Sequence, residues 1–134
     1  MNLVIDTNVI ISALLKDSKC REIIVSGKFN LFTPAFTLTE IEKYKGEICK
    51  KAKISIPDFD ELLKIIFKYI AIINPESYKK HLDYGKGLIS DIKDVPFIAS
   101  ALSLGLGIWS DDKGFKEQGI VKTFSTREII NFLG

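Results

Sequence analysis

Short apolar runs alternate with longer segments of helical period along this chain. Leu3, Val4 and Ile5 form an unbroken apolar run, the pattern of a strand buried on both faces of a parallel sheet. The run stops at Asp6, and Val9, Ile10, Ala13 and Leu14 then recur at helical spacing. A first helix is expected over residues 8–16, with Asn8 as its N-cap. A second short helix is expected over residues 19–26, ending at Gly27. Residues 29–32 read as a second strand, closed by Pro34. Thr37 and Glu40 have the spacing of a capping box, and Ile41, Tyr44 and Ile48 carry the helical period onward. Pro57 and Asp58 start a further helix, whose buried face is Phe59, Leu62, Leu63, Ile66, Phe67 and Ile70.

Residues 71–73 read as a third strand, stopped by Asn74 and Pro75. Residues 76–88 are partly helical, then broken by Gly85 and Gly87. Asp94 opens a helix that tolerates Pro96 in its first turn and ends at Gly105. Residues 107–110 form a fourth strand, residues 115–118 a short helix and residues 120–124 a fifth strand. Ser125 and Glu128 cap the last helix. Strands alternating with helices imply right-handed βαβ crossovers. The expected class is therefore α/β, with a parallel sheet of about five strands covered on both faces.

Composition narrows the picture only a little. The 134 residues suit one domain, 1–134, and 46% hydrophobic residues suffice for its core. A formal net charge of +2 does not demand a nucleic-acid partner, although charge can be uneven over a surface. The longest apolar stretch, residues 65–73, is too short to span a membrane and is interrupted by Lys68 and Tyr69. Asp6 interrupts any secretory signal pattern, and Cys20 and Cys49 lack metal-ligand spacing. A reduced cytoplasm is the expected compartment.

Candidate chemistry lies in the acids. Asp6 follows strand one, Glu40 lies early in the helix after strand two, Asp94 starts the helix before strand four, and Asp112 follows strand four. Ligands of open α/β sheets bind at that edge. Each acid also has an ordinary structural reading. Asp6, Asp94 and Asp112 can be helix caps, and Glu40 can be the return partner of Thr37. Together, however, four carboxylates near one edge repel one another, and a cation removes that cost. Oxygen ligands alone suit Mg²⁺ or Mn²⁺, and no His/Cys cluster suggests zinc. His81 is the only histidine and reads as a surface residue, and no phosphate-binding glycine loop is present. Lys43, Lys45, Lys50, Lys51 and Lys53 on the helix after Glu40 read either as a solvated face or as contacts to a phosphate backbone. Lys79, Lys80, Lys86 and Lys93 could form a second such rim, and Tyr44 and Trp109 read as packing residues.

Four blocks carry a resemblance. DTN at residues 6–8, LTEIEKY around Glu40, KDVPFIASAL from Lys93 and IWSDDKGF from Ile108 resemble the PIN domain, in order and over nearly the whole chain. The single-domain form resembles prokaryotic members, including the toxins of VapBC toxin–antitoxin pairs. The resemblance implies a three-layer αβα sandwich and an endoribonuclease that cleaves RNA by a metal-activated water. Its four acids map onto Asp6, Glu40, Asp94 and Asp112, with Thr7, Asn8 and Ser110 in support. It further implies Mg²⁺ or Mn²⁺ as cofactor, RNA as substrate, a separate antitoxin chain as partner and a symmetric homodimer. Lys43, Lys45, Lys50 and Lys93 become candidates for RNA contact. Three departures stand out: Gly114 where many members carry a further Asp, Asp111 beside the fourth acid, and Asp91 as an additional acid near Asp94. Of Asp111 and Asp112, alternation along extended backbone sends only one toward Asp6, and Asp112 is assigned to the site.

Two rival functions are weighed. A phosphatase of the haloacid dehalogenase type also places Asp after strand one, but needs a second Asp where this chain has Asn8. A non-catalytic module binding RNA or protein would have no need of all four acids.

Overall fold

The computed structural model describes residues 1–15 and 18–133. Among them the sheet has five parallel strands in the order β3-β2-β1-β4-β5. These are β1 (Asn2–Ile5), β2 (Asn30–Pro34), β3 (Ile70–Ile73), β4 (Gly107–Trp109) and β5 (Thr123–Phe124). β1 is central because its residues 3–5 can be hidden on both faces, and Leu3, Val4 and Ile5 are all fully buried. Alternation then divides them. Leu3 and Ile5 enter one apolar cluster and Val4 the other, so the sheet is the middle of three layers.

On the first face lie α1 (Thr7–Leu14), α2 (Lys19–Val25), α3 (Phe36–Ala52), α4 (Ile56–Ile66) and α9 (Thr126–Phe132). On the second lie α5 (Pro75–Tyr78), α7 (Val95–Leu104) and α8 (Lys113–Glu117), with α6 (Leu82–Lys86) packed on α7. The chain runs β1, β2, β3 toward one edge, then returns to place β4 on the other side of β1. The ends of β1 and β4 therefore border the switch point of the sheet, the usual crevice of such folds.

Several local expectations shift. Asp6, not Asn8, occupies the N-cap of α1, because the helix already begins at Thr7. The expected end of this helix at Lys16 lies outside the described residues. Strand β2 runs through Pro34, which pairs with Ile73. Ile70 belongs to β3 rather than to the face of α4. Gly85 does not break a helix but sits buried in α6, where an added Cβ would lie 3.4 Å from Val95. Strand β5 shrinks to two residues, as Gly119 takes a φ of 70° just before it and Gln118 binds the backbone of Ile120 and Val121. Gly105 closes α7 in the left-handed region as expected, φ 66°.

The capping box expected at Thr37 is absent. The helix α3 starts two residues earlier than that box requires, so Thr37 lies inside its first turn and Ala35 takes the cap position. The Thr37 hydroxyl turns into the core instead, 2.7 Å from Thr33 Oγ1 and 3.1 Å from Thr7 Oγ1. By contrast, Ser125 and Glu128 form the expected box in full.

Candidate active site

Asp6 leaves β1 with its amide donating to the Trp109 carbonyl of β4, 3.0 Å, so the sheet itself fixes where the residue stands. Its carbonyl accepts from Val9 and Ile10 and starts α1. Its carboxylate makes no cap hydrogen bond of ordinary geometry, although the Asn8 N–H favours its charge. Oδ2 accepts from Ser110 Oγ at 2.9 Å. The same Ser110 oxygen accepts from the Asp112 amide at 3.0 Å. One hydroxyl thus ties the acids after β1 and β4 together.

Glu40 is placed from the other side. Thr7 Oγ1 donates to Glu40 Oε1 at 2.7 Å. Thr7 is in turn backed by Thr37 and Thr33, and Thr33 Oγ1 donates to the Ile5 carbonyl. A buried file of three hydroxyls therefore connects the central strand to Glu40. The sequence reading assigned Thr7 to support but missed Thr33 and Thr37. Both are buried threonines on a strand end and the following helix, which is the signal that could have found them.

Asp94 occupies the cap position of α7, yet its side chain caps nothing. Asp91 does the capping work nearby, accepting from the Lys93 amide at 3.0 Å. Asp112 caps α8 through Gly114 N–H, 2.9 Å, and still lines the pocket. Asp111 turns away to α9, accepting from Thr126 N–H at 2.7 Å and Thr126 Oγ1 at 2.6 Å.

Asp6, Glu40, Asp91, Asp94 and Asp112 all line one pocket of about 400 Å³, together with Thr7 and Asn8. Burial pushes Asp6 up from 3.8 to about 6, against the Ser110 bond, and Asp112 and Glu40 add to the rise. Burial likewise lifts Asp94 from 3.8 to about 7, helped by the charges of Asp112, Asp6, Asp91 and Glu40. Among the described residues, no three His, Cys, Asp or Glu side chains are positioned to hold an ion outright. The donors nonetheless fit a hard divalent cation, being all oxygen, mutually repelling and gathered on one pocket.

The lysines separate. Lys93 lines the pocket, and so does Lys51. Lys45 is committed elsewhere, 2.7 Å from Asp60 of α4, which fastens α3 to α4. Lys43 lies 5.4 Å from the Tyr44 ring centroid, and neither it nor Lys50 lines the pocket. His81 is half-exposed on the turn Lys79–His81, and Trp109 is fully buried, its indole N–H on Thr126.

This arrangement, a three-layer α/β fold with acids gathered at the switch point, has known counterparts. The PIN domain family model matches residues 4–133, and the chain belongs to the PIN domain family. PIN domains are generally nucleases that hydrolyse phosphodiester bonds. No curated protein matches the sequence significantly. Among solved structures, VapBC2 from Rickettsia felis bound to a promoter DNA fragment aligns with a TM-score of 0.64 and 18% identity, over 93% of this chain and 98% of that one. FitAB bound to the IR36 DNA fragment aligns at 0.56 and 18%, over 94% and 95%. FitAcB from Neisseria gonorrhoeae aligns at 0.54 and 20%, over 95% and 99%. At these identities the likeness is one of fold. Among the described residues, no helix is long and apolar enough to cross a membrane.

Proposed function

We propose that this chain is a single-domain endoribonuclease dependent on Mg²⁺ or Mn²⁺, acting as the toxin of a toxin–antitoxin pair. The observation that carries the proposal is the pocket itself. Asp6 is buried and Asp94 half-buried among other acids, at a cost to their charge that a cation would offset. Asp6, Glu40, Asp94 and Asp112 would hold the metal, with Asp91 as a further oxygen donor at the rim. A bound divalent ion supplies an activated water and neutralises phosphate charge.

The protein's part is positional. Ser110 fixes the Asp6 carboxylate and the start of the Asp112 turn. Thr7 fixes Glu40. Lys93 offers its ammonium group at the rim to the phosphates flanking the cut. The toxin role rests on fold likeness to VapBC2 and FitAB, and implies a separate antitoxin chain. A homodimer is part of the same reading, favoured by exposed Ile56 and Ile65 on α4. Free, buried Cys20 and Cys49 suit a reducing cytoplasm.

Cleavage of single-stranded RNA tests the central claim. Wild type with Mn²⁺ is expected to cut. Asp6→Asn, or excess EDTA, is expected to abolish cutting while the circular dichroism spectrum stays native. Cutting by the folded Asp6→Asn variant at the wild-type rate would sink the proposal.

A further inference from the structure

The pocket has two unlike halves. The acids occupy the end nearest the sheet. Away from it the pocket continues between α1 and α3, whose inward faces change character along their length. From α1 come Asn8 and Ile11, with Leu15 just past its end; from α3 come Glu40, then Tyr44 and Ile48, then Lys51. The spacing is that of one helical face, so these residues form a file rather than a scatter. At 1.5 Å per residue, Glu40 and Lys51 stand roughly 16 Å apart along α3. The groove therefore runs well beyond the room a single phosphate needs.

Its middle is apolar and aromatic. Ile11, Leu15 and Tyr44 are all half-buried, packed on the core behind them yet open to the pocket. Phosphate is a poor occupant of this stretch. Glu40 and Glu47, both lining the pocket from α3, bracket Tyr44 with negative charge. An uncharged, flat, aromatic group meets neither objection. The positive charges that line the groove lie where a backbone carrying such a group would pass: Lys93 beside the acids and Lys51 at the far end.

We infer that the α1–α3 groove is a nucleobase subsite, and that Tyr44 is its stacking platform. The inference rests on the nuclease reading and deepens it. A base can enter this groove only when unstacked from its neighbours, which selects single-stranded or looped RNA over duplex. Tyr44 then sets how tightly substrate binds. It takes no part in the bond cleavage carried by the acids.

Binding measured in EDTA isolates this step, since no cleavage occurs. The probe is a fluorescein-labelled decauridylate, with a version carrying abasic positions and a duplex of equal length as controls. Base–aromatic stacking has a scale that makes Tyr44→Leu weaken decauridylate binding by about tenfold or more. Tyr44→Phe, which keeps the ring, should bind within about twofold of wild type. The abasic strand and the duplex should bind wild type as weakly as Tyr44→Leu binds the intact strand. Melting temperatures of both variants close to wild type keep the comparison one of binding. Equal binding of decauridylate by Tyr44→Leu and wild type overturns the inference and leaves the apolar wall to a protein segment. If wild type binds no RNA in EDTA but still cuts it with Mn²⁺, the subsite fails while the nuclease reading stands. If it neither binds nor cuts, both fail.

Discussion

Two groups of carboxylates in this small fold are treated in opposite ways. Glu128, in the cap of α9, accepts from the Lys116 ammonium and from the Ser125 amide, and the Lys116 bond first of all drives it from 4.5 down to about 2. Asp111, nearby, receives two hydrogen bonds from Thr126. Asp6 and Asp94 have the reverse surroundings. Burial leads for both and other acids add to it; Ser110 and Asn8 pull Asp6 the other way without cancelling the rise, and the two move up to about 6 and about 7. The first group stabilises the fold through charge that is already matched. The second keeps charge that the folded protein leaves unmatched. An acid that merely caps a helix has no reason to be held that way, which supports reading Asp6 and Asp94 as site acids.

The sharpest way to break the contrast is the adjacent pair Asp111 and Asp112. Asp112→Asn removes a pocket carboxylate, and its effect on RNA cleavage should exceed about 100-fold, the upper scale for losing only a partner of a metal ligand. Asp111→Asn should leave cleavage near wild type and instead cost about 1 kcal/mol of stability, the scale of a lost cap. Cleavage rates and urea midpoints of both variants check this. Equal loss of cleavage from the two would erase the distinction between capping acids and site acids.

The pH dependence of stability sharpens it next. Asp6 and Asp94 have folded values of about 6 and 7, above the ordinary 3.8, so the folded state holds extra protons between roughly pH 4 and 7. Their unfavourable contribution is absent below about pH 4 and complete above about pH 7. Stability of the metal-free protein should therefore fall as pH rises through that window. Glu128 acts with the opposite sign. Its stabilisation is present above about pH 4.5 and is lost as pH falls toward 2. Thermal melts in EDTA should thus peak near pH 4 to 5, and Mn²⁺ should raise the melting temperature more at pH 8 than at pH 5. A metal-free melting temperature that is flat from pH 5 to 8 would remove the unmatched charge from the account.

The same contrast explains what could be read from the chain alone. Local signals survived: the apolar run at Leu3 to Ile5, the left-handed Gly105, and the Ser125–Glu128 box are all as the sequence implies. The Thr37–Glu40 pair carries the same spacing as that box, yet it fails. A two-residue shift in helix start put the Thr37 hydroxyl beside Thr33 on the preceding strand and beside Thr7, a partner distant in sequence. The Lys45 ion pair is illegible for a similar reason, since Asp60 reaches it from another helix. The acid positions were legible because they sit at strand ends and helix starts, which the topology gathers on one edge. Lys51 was legible too, lying three turns from Glu40 on the same helical face, but its charge ran together with its neighbours.

The smallest expected effect concerns Gly114, at the edge of the acid cluster. A Cβ at this position would lie 3.4 Å from Asp112 Oδ1 and 3.9 Å from Asp94 Oδ2, so a side chain there starts at the edge of the acid cluster. Gly114 is not among the glycines with positive φ, so Asp meets no backbone penalty of that kind. The substitution keeps the amide that binds Asp112 Oδ1. Gly114→Asp should therefore fold, but add one more unmatched charge. Without metal at pH 8 it should lose no more than about 1 kcal/mol, a few degrees in melting temperature. With Mn²⁺ the added oxygen donor should reverse the sign, tightening metal affinity several-fold by calorimetry. Destabilisation that persists in saturating Mn²⁺ would mean that the new carboxylate meets only repulsion, and that the metal sits on the Asp6 and Glu40 side of the pocket instead.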